Sequence, residues 1–501
     1  MPQPSENDLF AAIDLGSNSF HMIIAREVHG QMQVLDKHKE MVRLRSGLDK
    51  KGKLSKSAFE TGIACLERFG QRIKDIPAQN IRAVGTNTLR NAKNSNEFLQ
   101  QAKKALGHSI QIISGQEEAR LIYLGVAHGL PNTDEQRLVM DIGGGSTEYI
   151  IGQGFKNSHL TSTEMGCVSI SEEFFPKGKI TEENFNQATA RARQILRPHR
   201  RTLLKKGWDI SFGASGTIKS IGQILEVNGW AESGITLSGM MFLSKELIKA
   251  GSTKDIKLAG LKDERRPVLI GGLAILMSTF IELNIRHMEV SQNALREGLI
   301  LDTLGRLNAE DVRNVSVKAM QKWMKVDTEQ ASMVAKTAKS LFKQSHNIWQ
   351  LHFDSYDLSS LLKWACYVHE VGIAISFKHS RQNGAYLIAN ADMAGFHQQE
   401  KSILSALVYN QRGKYNEDVI EDIEESVRPL MPYLTVILRL AVRIHRGRDL
   451  EAVDPILRIQ DDKTLYLEFE DSWLEDHPLT LLDLQTEAEK LSKFGFELHI
   501  E

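Results

Sequence analysis

The chain has 501 residues, of which 42% are hydrophobic and 25% are charged, and its formal net charge is −1. These values predict several globular domains and argue against a chain-wide attraction to nucleic acid, so any polyanion site must be a local basic patch. Three cysteines without CxxC spacing predict reduced thiols. The first ten residues lack a signal-peptide pattern, and no stretch approaches the roughly 20 apolar residues of a membrane span. We therefore expect a cytoplasmic protein without a transmembrane segment.

The first predicted element is a strand pair around a polar turn, in residues 10–28. Apolar residues typical of strands flank a turn that runs from Asp14 to Ser19. The order of residue types is an apolar strand, an aspartate, a glycine, hydroxyl or amide side chains, and a second apolar strand. This order returns later in the chain.

Arg90 follows the next predicted strand, residues 81–86, after a predicted amphipathic helix in residues 55–76. In open α/β domains, ligands collect at the carboxyl ends of strands, and an arginine there suits a phosphate. The alternative is a solvated surface arginine.

Two glutamates stand at the start of a predicted helix, residues 116–128. Ser114 with Glu117 three residues later fits a capping box, which gives Glu117 a structural role. Glu118 is left free to face a cleft as a general base for water. In the alternative interpretation, both acids merely favour the positive end of the helix.

The second strand pair, Leu138 to Gly152, contains the sequence DIGGGSTE. Its glycines allow backbone N–H groups to approach an anion, and Asp141 and Glu148 suit a hydrated divalent cation such as Mg²⁺. The predicted phosphate loop consists of Gly143, Gly144, Gly145, Ser146 and Thr147. A tight hairpin turn with no ligand is the alternative.

Asp14 and Asp141 are 127 residues apart and begin similar turns, which predicts a duplication at the scale of a domain. Two such hairpins facing each other across a cleft resemble the actin, sugar-kinase and Hsp70 ATPase superfamily. Coincidence is the alternative. We place the first domain at residues 1–133 and the second at 134–305.

A third glycine-rich turn, residues 213–217, lies between a predicted strand and a helix that carries Lys219. A helix N-terminus with small residues admits an anion. The candidate residues here are Gly213, Ser215, Gly216 and Thr217. Basic runs at 197–206 and 263–267 are either solvated helix faces or attract a long polyanion.

Beyond residue 305 the patterns change to long amphipathic helices and then to short strands. We predict an all-helical domain over 306–450 and a small α+β domain over 451–501.

Six motifs together resemble the exopolyphosphatase/guanosine pentaphosphate phosphatase (Ppx/GppA) family: DLGSNSFHMII, TNTLR, ISGQEEARLIY, DIGGGSTE, GASGT and NALREG. The resemblance implies two actin-like (ribonuclease H-like) α/β domains, a helical HD-like domain and a small C-terminal domain. It also implies Mg²⁺-dependent hydrolysis of a terminal phosphoanhydride. Carried over by motif, Glu118 would activate water and Arg90 would clamp phosphate. Asp141 and Glu148 would stand beside the metal, and the phosphate loops would include Ser17, Asn18, Ser19 and 143–147.

In the helical region, HD phosphohydrolases use a His–Asp pair, whereas this chain has His369 and Glu370. The longer glutamate departs from the pattern, so we expect a degenerate region without catalytic metal. The other candidate ligands are His346, His352, His379 and Asp392. A basic groove or dimer surface is a further hypothesis, and it would comprise His379, Arg381, His445, Arg446 and Arg448.

The expected function is therefore hydrolysis of inorganic polyphosphate, with the 5′-phosphohydrolysis of pppGpp, a stringent-response nucleotide, as the alternative that uses the same catalytic parts. The glycine triplet and the four-domain length favour polyphosphate. A kinase of the superfamily and a nucleotide-sensing regulator are weaker alternatives. We expect a homodimer, and contact with a membrane surface is left open.

Overall fold

The computed structural model describes residues 8–28, 31–49, 51–130, 134–307, 311–353, 356–391, 393, 395–448, 453–470 and 472–501. The chain divides into two units, Met1–Glu310 and Asp311–Glu501.

The first unit begins with a five-stranded sheet. Its strands are β1 (Leu9–Leu15), β2 (Phe20–Val28), β3 (Gln31–Glu40), β4 (Ile81–Gly85) and β5 (Ile110–Ile112). Their order is β3-β2-β1-β4-β5. The first three strands are antiparallel, and β4 and β5 run parallel to β1. The helices are α1 (Lys56–Ile73), α2 (Asn87–Asn91), α3 (Ser95–Leu106) and α4 (Gly115–His128).

A second sheet repeats this topology. Its strands are β6 (Gln136–Ile142), β7 (Thr147–Gln153), β8 (Lys156–Thr163), β9 (Ile210–Ala214), β10 (Ile235–Thr236) and β11 (His287–Val290). Read from β8, the order is β8-β7-β6-β9-β11, with the short β10 at the edge. Again the first three strands are antiparallel and the next two are parallel to the first. The predicted α/β class and its duplication are confirmed.

The described part of the first unit has six further α-helices: α5 (Cys167–Phe174), α6 (Glu182–Lys206), α7 (Ser215–Val227), α8 (Leu237–Ala250), α9 (Leu269–Leu283) and α10 (Leu295–Leu307). Helices α4 and α10 share one apolar core with strands of both sheets, which places this helix pair between them. A Cβ on Gly125 of α4 would lie 2.0 Å from the Ala294 carbonyl oxygen, so glycine is required where the two segments touch. The packing of α4 against α10 places the N-terminus of α4 beside both hairpins.

Helix α9 is the most apolar segment of the first unit. The stretch Asp263–Leu283 is long and apolar enough to cross a membrane, but 83% of its most apolar window is buried inside the protein. Ile270, Leu273 and Leu276 are fully buried in the core of the second sheet. The burial explains the composition, because a helix that is covered on all sides is apolar on all sides.

The described residues of the second unit form six helices, followed by a three-stranded sheet that has two further helices between its strands. The helices are α11 (Val312–Trp323), α12 (Thr328–Ser345), α13 (Leu358–Val368), α14 (Ser380–Asn390), α15 (Gln398–Asn410) and α16 (Met431–Ile444). Strands β12 (Ile456–Ile459), β13 (Thr464–Glu468) and β14 (Glu497–Ile500) pair in that order, with α17 (Trp473–Asp476) and α18 (Pro478–Ser492) between β13 and β14. The predicted helical region and small α+β region are confirmed.

One apolar core joins these two parts of the second unit. Leu465 and Leu467 of β13 belong to the same buried cluster as Leu434 and Leu440 of α16. The predicted boundary between 450 and 451 lies outside the described residues, as does residue 133 at the end of the first predicted domain. The predicted boundary after 305 falls within α10.

Candidate active site

Two hairpin turns approach each other in the first unit, one between β1 and β2 and one between β6 and β7. A Cβ on Gly144 would lie 2.8 Å from the Ser17 Cβ, and a Cβ on Gly145 would lie 2.3 Å from the Asn87 Oδ1. Only glycine allows the turns to meet this closely. The turns form part of the wall of a cleft of about 420 Å³.

The cleft brings together most of the predicted site residues. Those that line it are Ser17, Asn18, Ser19, Glu118, Asp141, Gly143, Gly144, Ser146, Ser215, Gly216 and Thr217. Outside its lining are Arg90, Gly145, Thr147, Glu148 and Gly213.

The residues outside the lining have contacts of their own. The Thr147 hydroxyl donates to the Met165 carbonyl oxygen over 2.6 Å. A Cβ on Gly213 would lie 2.5 Å from the Ile218 Cγ2, so this glycine lets α7 pack closely on β9. Both residues therefore make packing contacts next to the loops. A sequence motif does not distinguish such a structural residue from one that binds ligand.

Glu118 lies in the first turn of α4, where the Ser114 hydroxyl accepts a hydrogen bond from the Glu117 N–H over 3.2 Å. Of the predicted capping box, the N-cap bond of Ser114 is confirmed. The Glu117 carboxylate accepts two hydrogen bonds of 2.8 Å from Arg120. This pairing leaves Glu118 as the glutamate of the pair that faces the cleft.

The Glu118 carboxylate is buried, and its Oε2 has no hydrogen-bond partner among the described residues. Burial, with the nearby Glu148 carboxylate, raises the pKa of Glu118 well above its ordinary value. The Arg90 Nη1 lies 3.6 Å from Glu118 Oε2 and donates to the Ile113 carbonyl oxygen over 2.6 Å. Arg90 thus lies next to Glu118 but outside the cleft lining, and its charge partly offsets the effect of burial on the pKa of Glu118.

Asp141 and Glu148 face each other on neighbouring strands, as direct partners in the β6–β7 register. Burial and the charge of Asp141 raise the pKa of Glu148 to about 8, although Glu148 accepts a 2.8 Å hydrogen bond from Ser162. Burial raises the pKa of Asp141 to about 6, against the opposing effect of Lys219, Arg296 and Arg265. A bound cation would offset the cost of burying these two adjacent acids.

Asp14 and His21 also line the cleft, and our site prediction omitted both. They are direct partners in the β1–β2 register, as Asp141 and Glu148 are in β6–β7. Burial raises the pKa of Asp14 to about 7. The spacing of 127 residues that relates Asp14 to Asp141 also relates His21 to Glu148, and this was the signal that could have identified His21.

Cationic side chains also line the cleft. Lys219, Arg265 and Arg296 all line it. Lys219 donates to the Gln292 carbonyl oxygen over 2.7 Å, and the Arg265 guanidinium packs directly on Gly216. Arg265 belongs to the basic run 263–267, a candidate polyanion site from the sequence alone. Arg296 lies in the NALREG motif, and no local pattern indicated its place in the cleft.

The turn before α7 has an unusual backbone. Ser215 has a positive φ of 79°, a conformation that non-glycine residues rarely adopt. Ser215, Gly216 and Thr217 line the cleft at the helix N-terminus, where the unpaired N–H groups favour an anion. Backbone strain of this kind concentrates at ligand sites.

The donor set fits a hard divalent cation bound jointly with substrate. Among the described residues, no group of three or more His, Cys, Asp or Glu side chains is arranged to hold a metal ion by itself. Mg²⁺ usually takes one or two carboxylates, with waters and phosphate oxygens completing its shell. Asp141 and Glu148 suit this mode, and the Asp14 Oδ1 is a further buried oxygen without a hydrogen-bond partner among the described residues.

The second unit places the HD-like candidates differently. His369 is buried, its Nδ1 lies 2.6 Å from the Cys366 carbonyl oxygen, and Glu370 is ion-paired with Arg448. The His346 Nδ1 lies 2.9 Å from the Lys343 carbonyl oxygen, His379 is exposed at the start of α14, and Asp392 lies outside the described residues. These contacts all lie within the second unit.

Comparison with known proteins gives consistent matches. The model described as Ppx/GppA phosphatase family matches residues 23–307, and the model described as Ppx/GppA phosphatase, domain III, matches 312–488. An exopolyphosphatase from Cytophaga hutchinsonii is similar with a TM-score of 0.55 and 23% identity, covering 60% of this chain and 98% of that chain. An exopolyphosphatase-like protein has a TM-score of 0.53 and 24% identity, covering 60% and 99%. At these identities, the two similarities show that the fold is shared.

Proposed function

The chain belongs to the Ppx/GppA phosphatase family, whose members hydrolyse phosphoanhydride bonds, and we propose that it is an exopolyphosphatase acting on inorganic polyphosphate. One observation supports this choice of substrate. Among the described residues that line the cleft there is no Phe, Tyr or Trp, whereas six are Lys or Arg: Lys37, Lys39, Lys219, Lys262, Arg265 and Arg296. A polyphosphate offers only charge and oxygen acceptors, whereas a nucleotide base gains from stacking on an aromatic ring.

The terminal phosphoryl group binds between the two hairpin turns. Backbone N–H groups of 17–19 and 143–146 and hydroxyls of 17–19 contact its oxygens, and the N-terminus of α7 adds a third set of donors. Lys219, Arg265 and Arg296 offset the charge of the following phosphates. Phosphoryl transfer depends mainly on such positioning and charge stabilisation.

Glu118 acts as the general base. The oxygen of a water attacks phosphorus while Glu118 accepts the water proton. The bond from phosphorus to the bridging oxygen breaks, and its electron pair leaves with the shortened chain. Glu118 suits this role by its position, because it lines the cleft and its Oε2 has no hydrogen-bond partner among the described residues.

Asp141 and Glu148 are the side chains that would hold Mg²⁺. A bound divalent cation neutralises charge on the phosphoryl oxygens. Removal of divalent cations with EDTA is therefore expected to abolish phosphate release, and added Mg²⁺ is expected to restore it. Full activity in EDTA would contradict the assignment of these two acids.

The alternative within the same family is the 5′-phosphohydrolysis of pppGpp, which uses the same machinery. Phosphate release from long polyphosphate and from pppGpp should be compared at matched concentrations of terminal phosphate, with Mg²⁺. We expect the larger kcat/KM with polyphosphate. A larger kcat/KM with pppGpp would assign the chain to the nucleotide reaction.

The proposal extends to the protein's assembly and location. It includes a homodimer, a cytoplasmic location and the division 1–133, 134–305, 306–450 and 451–501. Light scattering after gel filtration tests the dimer, because a monomer has half its mass. Cell fractionation tests the location.

A further inference from the structure

His21 makes two polar contacts from the start of β2. Its Nε2 lies 2.7 Å from the Ser19 Oγ, and its Nδ1 lies 3.2 Å from the Arg296 Nη1. Arg296 belongs to α10, 275 residues away along the chain, so the imidazole joins the first hairpin to the helix pair between the sheets.

These two contacts determine which ring nitrogen carries the proton. A guanidinium has only donors, so the Nδ1 that faces Arg296 must be the acceptor. A neutral imidazole then carries its proton on Nε2, which donates to the Ser19 Oγ. The opposite tautomer would point two donors, the Nδ1–H and the Arg296 N–H, at each other.

The surroundings of His21 keep the ring neutral. Burial lowers the pKa of His21 well below its ordinary value, and the charges of Arg296, Lys39, Arg265 and Lys219 act in the same direction. At neutral pH the ring is therefore available as one acceptor and one donor.

The direction of the Ser19 hydroxyl follows from this arrangement. The imidazole N–H occupies a lone pair of the Ser19 Oγ, so the hydroxyl proton must point to another acceptor. Ser19 lines the cleft. We infer that His21 is a positioning residue that holds the Ser19 hydroxyl as a donor towards the terminal phosphoryl group, an inference that rests on the proposed hydrolysis at this cleft.

The second hairpin shows the opposite arrangement at the equivalent position. There Glu148 takes the place of His21, and the Ser146 hydroxyl donates to its carboxylate. A carboxylate accepts the serine proton, whereas a neutral imidazole N–H leaves that proton free. The two hairpins thus share a backbone plan but present their serines differently, one to the substrate and one to an acidic side chain.

Two substitutions separate positioning from mere packing. In His21→Gln, the side-chain amide N–H reaches the position of the imidazole Nε2 and still donates to Ser19. In His21→Asn, the shorter amide reaches only the Nδ1 position, so the donor to Ser19 is lost. The double variant of His21→Asn with Ser19→Ala tests whether the two residues act as one unit.

The measurement is kcat/KM for phosphate release from tripolyphosphate with Mg²⁺, on protein whose melting temperature is recorded. We expect His21→Asn and Ser19→Ala each to lose about 10-fold or more, the usual loss for a hydrogen bond to a charged group. The double variant should lose no more than either single variant, and His21→Gln should retain most activity. Multiplying losses, or equal losses in His21→Gln and His21→Asn, would overturn the inference.

A second measurement is independent of turnover. In protein labelled with ¹⁵N-histidine, the His21 signals, identified by their loss in His21→Gln, should show a protonated Nε2 and an unprotonated Nδ1. A protonated Nδ1 would overturn the inference even if the variants fold poorly. Wild-type protein that hydrolyses neither polyphosphate nor pppGpp would refute the proposed function, and the tautomer would still be decided by the spectrum.

Discussion

Buried charges are paired in the second unit and unbalanced in the cleft of the first. In the second unit, Arg439 and Glu487 are both fully buried. Glu487 accepts hydrogen bonds of 2.5 Å from Arg439 and 2.7 Å from Arg443, and the other Arg439 nitrogens donate to the carbonyl oxygens of Asn410 and Gly413. Each charge there has its counter-charge within the fold.

Three carboxylates that line the cleft, Asp14, Glu118 and Asp141, and the adjacent Glu148 all have raised pKa values, mainly because of burial. Desolvation of a charge without a partner is costly, so such groups persist where a ligand supplies the partner. The Arg439–Glu487 cluster thus has its charges paired within the fold, whereas the acids at the cleft carry a cost of burial that a bound ion or substrate would offset.

Glu118→Gln gives the largest expected effect on the cleft side of this contrast. Loss of the general base should lower kcat by about 100-fold or more, while polyphosphate still binds. The melting temperature should not fall, because a buried, poorly balanced charge is removed. Phosphate release and a binding titration with polyphosphate measure both parts.

Glu117→Gln is the matched control for Glu118→Gln. Glu117 is equally buried and adjacent, but its carboxylate is paired with Arg120. This variant should lower the melting temperature and leave water activation intact. Near-normal turnover in Glu118→Gln, or a larger loss of turnover in Glu117→Gln, would refute the assigned roles.

Glu487→Gln tests the paired side of the contrast. It leaves Arg439 and Arg443 without their shared counter-charge in a buried site, which should cost about 3–5 kcal/mol of unfolding free energy. Urea unfolding measures the loss. Glu489→Gln, an exposed position on the same helix, should change little. Equal stability of the two variants would mean that the buried cluster does not hold the second unit together.

Asp14→Asn should stabilise the protein in EDTA, with a clear pH dependence. The folded-state pKa of Asp14, about 7, exceeds the ordinary aspartate pKa of 3.8. The folded state therefore binds more protons between these values, and stability is lost as pH rises through about 7. The variant should gain up to about 4 kcal/mol at pH 8 and less than about 1 kcal/mol at pH 4. The exposed Asp75→Asn serves as control. A gain that is independent of pH would contradict the burial argument.

Glu370→Gln has the smallest expected effect. Glu370 is another paired carboxylate of the second unit, held by Arg448. Turnover and the metal content of the full-length protein, measured by elemental analysis, should both stay unchanged. Loss of a stoichiometric metal in this variant would place a ligand site in the helical region and remove the contrast between the two units.

Local sequence patterns predicted much of this molecule. The repeated order of strand, acid, glycine and hydroxyl predicted the two hairpins, because turns and strands depend on residues that are neighbours in the chain. Ser114 predicted the start of α4, and the cap then left Glu118 at the helix N-terminus, facing the cleft. Such signals need only a few consecutive residues.

Tertiary structure decided what these local signals do together. The contact of His21 with Arg296 joins residues 275 positions apart, and no local pattern contains it. Gly144 and Ser146 of the second hairpin line the cleft, whereas Thr147 and Glu148 are buried outside its lining. Side-chain burial and charge balance depend on which elements meet. The duplicated plan and the family could therefore be read from the sequence. Which buried acids lack a counter-charge depends on the packing of α4 and α10 between the two sheets.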